Sequence, residues 1–400
     1  MKKRLAIVSS HPIQYNAPLF RTLASQPELE VMVFYTWSQT SQGGKFDPLF
    51  GKVIEWDIPL LDGYAYRFVE NVAKDPGSHH FRGIRNPDLI ATIHSFRPDA
   101  ILVFGWSFQS HLQCLRYFHG RIPVMFRGDS TLLGEHRGVK QVLRRIFLTW
   151  VYRHVDIALY VGQHNKAYYL RHGLRENQLR FAPHAIDNAR FSAEDALRNQ
   201  RALERRRALG IRDTDMVVLF AGKLEPRKNP FFIVELARQC PLPGLVFLVV
   251  GNGPLEAQVK EMAKDLPGLV FMDFQNQEAM PEIYRMGNVF LLPSVSETWG
   301  LALNESMVCK RPVIASRKVG AVPDLILEDE TGWSFEPGPG AVDQVAAIVR
   351  QLHAAPPRCA AAGEAAYAHI AAFSYDAISR TIVHELTGSV NHKPAALKQE

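Results

Sequence analysis

Short apolar runs alternating with amphipathic stretches constrain this chain more than any other feature. The runs at residues 5–9, 30–35, 99–104, 123–127, 157–161 and 179–182 are strand-sized. Between them, residues 17–24, 87–96, 109–118, 139–153 and 165–172 have helical spacing. Strands that alternate with helices in this way build βαβ units and a parallel sheet. The polar segment 192–210 breaks the series, which then restarts. Strands are expected at 216–221, 245–250, 269–272, 289–293 and 313–316, and helices at 230–238, 255–264, 280–286 and 301–309. The fold class is α/β: two Rossmann-like, doubly wound domains facing a cleft, at 1–190 and 191–375, with a terminal helix and tail at 376–400. Open parallel sheets bind ligands beyond the carboxyl ends of their strands. Residues that directly follow strands therefore carry the most weight.

Composition narrows the class. Hydrophobic residues at 47% and charged residues at 22% exclude a disordered or disulfide-scaffold chain. Cys114, Cys240, Cys309 and Cys359 lie far apart, which fits neither a zinc site nor an oxidised framework and points to a reducing compartment. No apolar run approaches the roughly 18–20 residues of a membrane helix. The opening MKKRLAIVSSHPIQY has an apolar part only at 5–8, too short for a secretory core of about 7–15 residues. The expected location is cytoplasmic, or peripheral on the inner face of a membrane. Charge is uneven: residues 1–190 hold 24 Lys+Arg against 15 Asp+Glu, and residues 191–400 hold 22 against 25.

The stretch NVFLLPSVSETWGLALNESM is the most informative. A strand ends at Pro293, a loop follows, and a helix begins near Gly300. A helix start offers free N–H groups and partial positive charge to an anion. Gly300 admits close approach, and Leu301 is the next donor. Glu297 and Thr298 lie in the loop at the cleft mouth, and Glu305 sits farther along the helix, placed to accept from a ribose diol. Phosphate at the helix start and a diol on the next turn describe a nucleotide. Taken alone, two glutamates at this spacing read as surface charges.

In FAGKLEPRKNP, Lys223 and Lys228 follow a strand, five apart in one loop, where both could reach the phosphates of a nucleotide. The plainer reading is a basic surface loop, with Arg227 a solvated neighbour. His11, in the loop after the first strand, either contacts a ligand or caps a turn. Asp129, in FRGDS, either bonds a sugar hydroxyl, assists the acceptor, or caps the next segment. Gln275, after a strand, reads as a cap of its own turn. GNGPLE lacks the third glycine of a dinucleotide fingerprint, and no P-loop is present. The histidines show no metal-binding spacing, so no metal site is expected.

In order and spacing these blocks resemble the Glu-x7-Glu signature and flanking segments of family 4 glycosyltransferases, in a bacterial polysaccharide-type branch. FAGKLEPRKNP, LVFLVVGNGPLE and KRPVIASRKVGAVPDLILEDETGWSFEPG are similar to that family's second domain. SSHPIQYNAPLF, FGKVIEWDIPLLDGY and the junction FAPHAIDNARF are similar to its first half and crossing. The resemblance implies a GT-B fold whose C-terminal helix returns to the first domain. It implies a retaining, metal-independent hexosyltransferase with a nucleotide-diphosphate sugar as co-substrate and no cofactor. Lys223 and Lys228 would hold the diphosphate with the Gly300 and Leu301 N–H groups. Glu305 would bind ribose, Glu297 would orient the donor sugar, and the loop of Gln275 would frame the base. Glu297, Lys228 and Asp129 are the catalytic candidates. Two departures stand out: Lys223 replaces an Arg, and Arg127 and Asp129 occupy the region where a donor-contacting His is usual. A sugar-nucleotide epimerase or phosphorylase, or a non-catalytic sugar-nucleotide-binding module, are the competing classes.

The helical stretch 137–156 places Arg137, Lys140, Arg144, Arg145 and Arg153 beside Val142, Leu143, Ile146, Phe147 and Trp150. It reads either as a core-packed helix with a solvated basic face or as one lying on an anionic membrane. The expected partners are the nucleotide-sugar donor, a lipid-linked or cell-surface glycan acceptor, and peripherally an anionic membrane. No nucleic-acid motif is present, and nucleic acid is not expected.

Overall fold

The computed structural model describes residues 2–38, 57–135 and 138–388, with the backbone of 45–47 and 52–54. Arg137, part of FGKVIEWDIPLLDGY and the tail beyond 388 lie outside the described residues. Strands β1 (Lys3–Ser9) and β2 (Leu29–Tyr35) are followed by a small antiparallel hairpin, β3 (Lys45–Asp47) and β4 (Lys52–Ile54). Then come β5 (Ala65–Phe68), β6 (Ala100–Phe104), β7 (Val124–Arg127), β8 (Ile157–Tyr160) and β9 (Leu179–Phe181). The second series is β10 (Met216–Ala221), β11 (Leu245–Val250), β12 (Leu269–Met272), β13 (Val289–Leu292), β14 (Val313–Ser316) and β15 (Gly332–Phe335). The first sheet is ordered β5-β2-β1-β6-β7-β8-β9 and the second β12-β11-β10-β13-β14-β15, all parallel. Each sheet reverses direction at its first strand, so the loops after β1 and β10 sit at switch points.

Helices cover both faces of each sheet. Ala6, Val8, Ile101 and Val103 pack with Leu112, Leu115 and Leu148 on one side of the first sheet. Leu5, Ile7, Leu102 and Met125 pack with Leu19, Phe20 and Leu23 on the other. Val217 and Leu219 face one core of the second domain, and Val218 and Phe220 the other. Strands buried on both faces read as unbroken apolar runs, which made them visible in the sequence. The hairpin, β5 and β15 were not anticipated.

The polar segment 192–210 forms the helix Asp195–Ala208, and its charges fasten it to the second domain. Arg206 Nε donates to the Met286 carbonyl at 2.7 Å, Arg205 and Arg201 pair with Glu282 at 2.8 and 3.3 Å, and Arg285 reaches back to Asp195 at 2.7 Å. Just before it, the chain crosses between domains: Ala182 and Ala185 belong to the first core, Ile186 and Phe191 to the second. The C-terminal helix Tyr375–Thr387 returns, inserting Tyr375, Ile378 and Ile382 into the first core and pairing Glu385 with Arg180. Among the described residues no helix is long and apolar enough to cross a membrane.

A second link between the domains is titratable. Both oxygens of Asp324 accept from the Gln163 amide, at 3.2 and 3.0 Å, at the start of the helix Gln163–Arg171. Burial raises the Asp324 carboxyl from 3.8 to about 7, against the opposing bond from Gln163. The folded chain therefore holds this proton more tightly than the unfolded chain. Its contribution to stability is fully present below about pH 4 and is lost as pH rises through about 7. Asp324→Asn should flatten that part of the curve when thermal midpoints are measured against pH. An unchanged slope would exclude Asp324 as its source.

Candidate active site

The carboxyl ends of the two sheets face one another across a cavity of about 520 Å³. Nine of the ten site residues read from the sequence line it: Asp129, Lys223, Lys228, Gln275, Glu297, Thr298, Gly300, Leu301 and Glu305. His11 does not. Its ring lies edge-on to Trp37 at 5.4 Å, and its Nδ1 is 3.0 Å from the Ser10 hydroxyl, so it serves its own turn. Gln14 and Tyr15, in the same loop, line the cavity.

After β10 the chain makes the single turn Pro226–Lys228, closed by Asn229 in the left-handed region at φ 52°. The Lys228 amide donates to the Glu225 carbonyl at 3.0 Å, which points its side chain inward to pair with Glu297. Arg227 is exposed, as read from the sequence, yet it also has partners. It lines the cavity, pairs with Glu225 at 3.1 Å and stands 3.9 Å from Glu297. Lys223 lines the cavity one residue beyond Gly222.

The loop after β13 is held flat against its neighbour. The Glu297 amide donates to the Lys318 carbonyl, and the Glu297 carbonyl accepts from Gly320, both at 3.1 Å. Glu297 is thereby buried, with the Ser294 hydroxyl 3.4 Å away. Gly300 adopts φ 99°, and a Cβ there would meet Val319 at 2.7 Å. Glycine is required for both reasons, beyond the close ligand approach inferred from sequence. The helix Leu301–Val308 then begins, with Leu301 and Ala302 on the cavity wall.

Glu305 lies deep on that helix. Its two oxygens accept from the Tyr15 hydroxyl at 3.0 Å and the Tyr284 hydroxyl at 2.6 Å. The first of these bonds crosses between domains, and Tyr375 secures it by donating to the Tyr15 carbonyl at 2.9 Å. Burial holds the Glu305 carboxyl above its ordinary range, opposed by the two hydroxyls and then by Arg190 and Lys228.

A second contact across the cleft joins two sequence candidates: Thr298 Oγ1 donates to Asp129 at 2.8 Å. His184 stands 3.9 Å from the same carboxylate, with its ring tilted against Trp299. Burial, and then the Arg127 cation, push the His184 imidazole down to about 4, so it is neutral at pH 7. Arg127 itself is structural. It donates to the carbonyls of Ala182 and Pro183 at 2.7 and 2.9 Å and fixes the segment that presents His184. Gln275 both lines the cavity and caps its own turn, donating to Asp273 and Phe274 at 3.1 and 3.3 Å.

His184, Tyr15 and Tyr284 were missed by sequence reasoning. The first two follow β9 and β1, so position after a strand was the available signal. Among the described residues only Asp75, His79 and His80 gather as a group able to hold a metal ion. All three are exposed, and none lines the cavity.

Residues 202–369 match the family described as glycosyl transferases group 1. A D-inositol 3-phosphate glycosyltransferase of Mycobacteroides abscessus is 33% identical over 136 residues, covering 32% of this chain and 30% of that protein. The corresponding protein of Acidothermus cellulolyticus is 29% identical over 215 residues, covering 50% of this chain and 44% of its own length. The matches thus span less than half of either relative. Among solved structures, Anabaena HepE in complex with UDP superposes with a TM-score of 0.72 at 17% identity, covering 97% of this chain and 100% of that one. Sucrose-phosphate synthase from Thermosynechococcus elongatus gives 0.68 at 18%, covering 95% and 97%. At these identities the likeness speaks to fold, and the fold is that of the GT-B glycosyltransferases.

Proposed function

We propose that this chain is a retaining, metal-independent glycosyltransferase that moves a sugar, of hexose type, from a nucleotide-diphosphate sugar to a glycan acceptor, lipid-linked or at the cell surface. The observation that carries this reading is the convergence of two lysines, a helix start and a deeply set carboxylate on one cavity between two sheet ends. Solved neighbours of the same fold hold UDP and UDP-glucose.

In this reading the diphosphate lies between Lys223, Lys228 and the N–H groups at Gly300 and Leu301. Charge develops on the leaving phosphate as the C1–O bond breaks, and fixed cations and N–H donors stabilise it without reorganising. The diphosphate takes over as counter-ion to Lys228, leaving Glu297 to accept from the donor sugar. Glu305 accepts from the ribose diol beside its tyrosines.

Retention requires attack on the face that the phosphate leaves. A double displacement needs a carboxylate nucleophile with its partner about 5–5.5 Å away. In this reading Glu297 is taken up by the donor sugar's hydroxyls, and Asp129 is held by Thr298. A front-face transfer fits better: the acceptor oxygen bonds to C1, and its proton passes to the departing phosphate. No cofactor takes part. Asp129 and neutral His184 face the sugar from the first domain.

Thermal-shift screening against UDP-, GDP- and ADP-sugars tests the donor assignment. Binding at a hundredfold excess over Kd stabilises the fold by about 2.7 kcal/mol. One base should give a clear shift, and no shift with any would count against a sugar-nucleotide site.

His184→Phe keeps the ring against Trp299 and removes the nitrogens. The expected result is a kcat about tenfold lower, the scale of one hydrogen bond, with the melting temperature retained. Initial-rate measurements decide this, and an unchanged kcat would assign the imidazole to packing alone.

A further inference from the structure

The loop that joins β5 to the helix Leu89–Phe96 is folded on itself by its own polar groups. The buried side-chain amide of Asn86 donates to the carbonyls of Val69 and Glu70, at 2.9 and 2.8 Å, and pins the two ends together. Inside that closure, Asn71 Nδ2 donates to the Gly83 carbonyl and Asn71 Oδ1 accepts from the Arg85 amide, both at 2.8 Å. The Val72 amide donates to the Arg85 carbonyl at 2.9 Å, and the Gly77 amide to the Gly83 carbonyl at 3.0 Å. The two limbs of the loop are thus tied to one another as far as its tip.

The tip carries Asp75, His79 and His80. One carboxylate oxygen, Asp75 Oδ2, lies 3.1 Å from His79 Nε2 and 3.2 Å from His80 Nε2. One ligand atom from each residue stands within 4.8 Å of the other two. A tetrahedral ion with bonds of about 2.0–2.1 Å holds its ligand atoms about 3.3 Å apart. Two of the three separations already have that length. Two glycines permit the packing. A Cβ on Gly83 would stand 2.1 Å from the Gly77 carbonyl oxygen, and one on Gly77 would stand 2.4 Å from His79 Nδ1. The His79 ring therefore folds back over Gly77, which turns its other nitrogen toward Asp75. The plainer use of these contacts is a surface ion pair. Such a pair contributes little to stability, and one histidine would suffice for it.

We infer that Asp75, His79 and His80 bind one divalent ion of the zinc class, through two imidazole nitrogens and one carboxylate oxygen. Imidazole suits this class, whereas calcium and magnesium take oxygen ligands. Water completes the four positions. The ion closes the tip of the loop as the hydrogen bonds close its base. The loop follows β5, at the end of the first sheet that faces the cleft, but none of the three ligands lines the donor cavity. The ion therefore holds the loop and leaves the metal-independent transfer proposed above as it is. An aspartate four residues before paired histidines is outside the familiar metal motifs. The turned-back loop is what brings the three together.

Calorimetric titration of the untagged chain with zinc chloride, after stripping with a chelator, tests the site. The chain should take up one equivalent with a micromolar Kd. Asp75→Ala, His79→Ala and His80→Ala should each weaken binding at least about tenfold, the least that losing a supporting group costs a metal site. Gly77→Ala should weaken it too, by pushing the His79 ring aside. His94→Ala, which removes an exposed histidine of the next helix, should bind as the wild type does. Cobalt(II) in place of zinc should give the visible absorption of a tetrahedral ion, and the three ligand variants should lack it. The donor-induced thermal shift should be the same with and without zinc, so failure of the metal site and failure of the donor assignment are read separately. Millimolar uptake only, several equivalents undiminished in the three ligand variants, or an equal loss in His94→Ala would mark adventitious surface chelation and overturn the inference.

Discussion

Lys228→Ala should lower kcat by about 10²–10³-fold, the range seen when one fixed donor to a developing charge is removed. The side chain is only 18% exposed, and its ammonium pairs with Glu297, itself 9% exposed. Two losses therefore combine. The leaving diphosphate loses a cation where its charge grows. Glu297 loses its strongest partner, keeping only Ser294 at 3.4 Å and Arg227 at 3.9 Å. A carboxylate left without its counter-ion in a buried place is held less firmly. Lys228→Arg keeps the charge but changes its shape and should recover part of the rate. Transfer rates with saturating donor, read beside melting curves, separate catalysis from folding. A Lys228→Ala protein with wild-type kcat would remove the lysine from the reaction.

Glu305→Gln should raise the donor KM by about 10–100-fold, the worth of a hydrogen bond to a charged group, with a smaller effect on kcat. The carboxylate already accepts from Tyr15 and Tyr284, so an amide must turn one NH2 toward a phenol. Glu305→Ala goes further and leaves both hydroxyls unpaired, at about 1–3 kcal/mol per buried group. That variant should melt earlier, which is why the glutamine is the cleaner probe. A donor lacking the ribose 2′-hydroxyl sharpens the test. It should bind the wild type more weakly than the full donor, and Glu305→Gln should discriminate less between the two. If both proteins discriminate equally, the ribose lies elsewhere.

The two sheets were legible because their central strands are buried on both faces. β5 was not: three of its four residues, Ala65 to Arg67, are exposed at the sheet edge, so no apolar run marks it. β15 is the opposite edge of the second sheet, and GWSF is too short and mixed to read alone. In the site, Glu297, Gly300 and Glu305 lie within one strand-loop-helix unit, and Lys223 and Lys228 within another, so local spacing revealed them. Tyr15 meets Glu305 only through the packing of one domain against the other, and His184 meets Asp129 only because β7 and β9 lie in one sheet. No periodicity records such a contact. Of the two readings open for His11, its geometry fits the local one, since its ring turns onto Trp37, whereas Tyr15 of the same loop lines the cavity. The exposed stripe on Val139–Tyr152 was visible as a pattern, and its outward direction was not.

The most direct measurement is a crystal structure of the protein grown with the nucleoside diphosphate that the thermal-shift screen selects. The diphosphate is expected between Lys223, Lys228 and the amides at Gly300 and Leu301, with the ribose hydroxyls on Glu305. A nucleotide bound outside this cavity, or bound within it with its phosphates away from both lysines, would contradict the assignment of this cleft as the donor site.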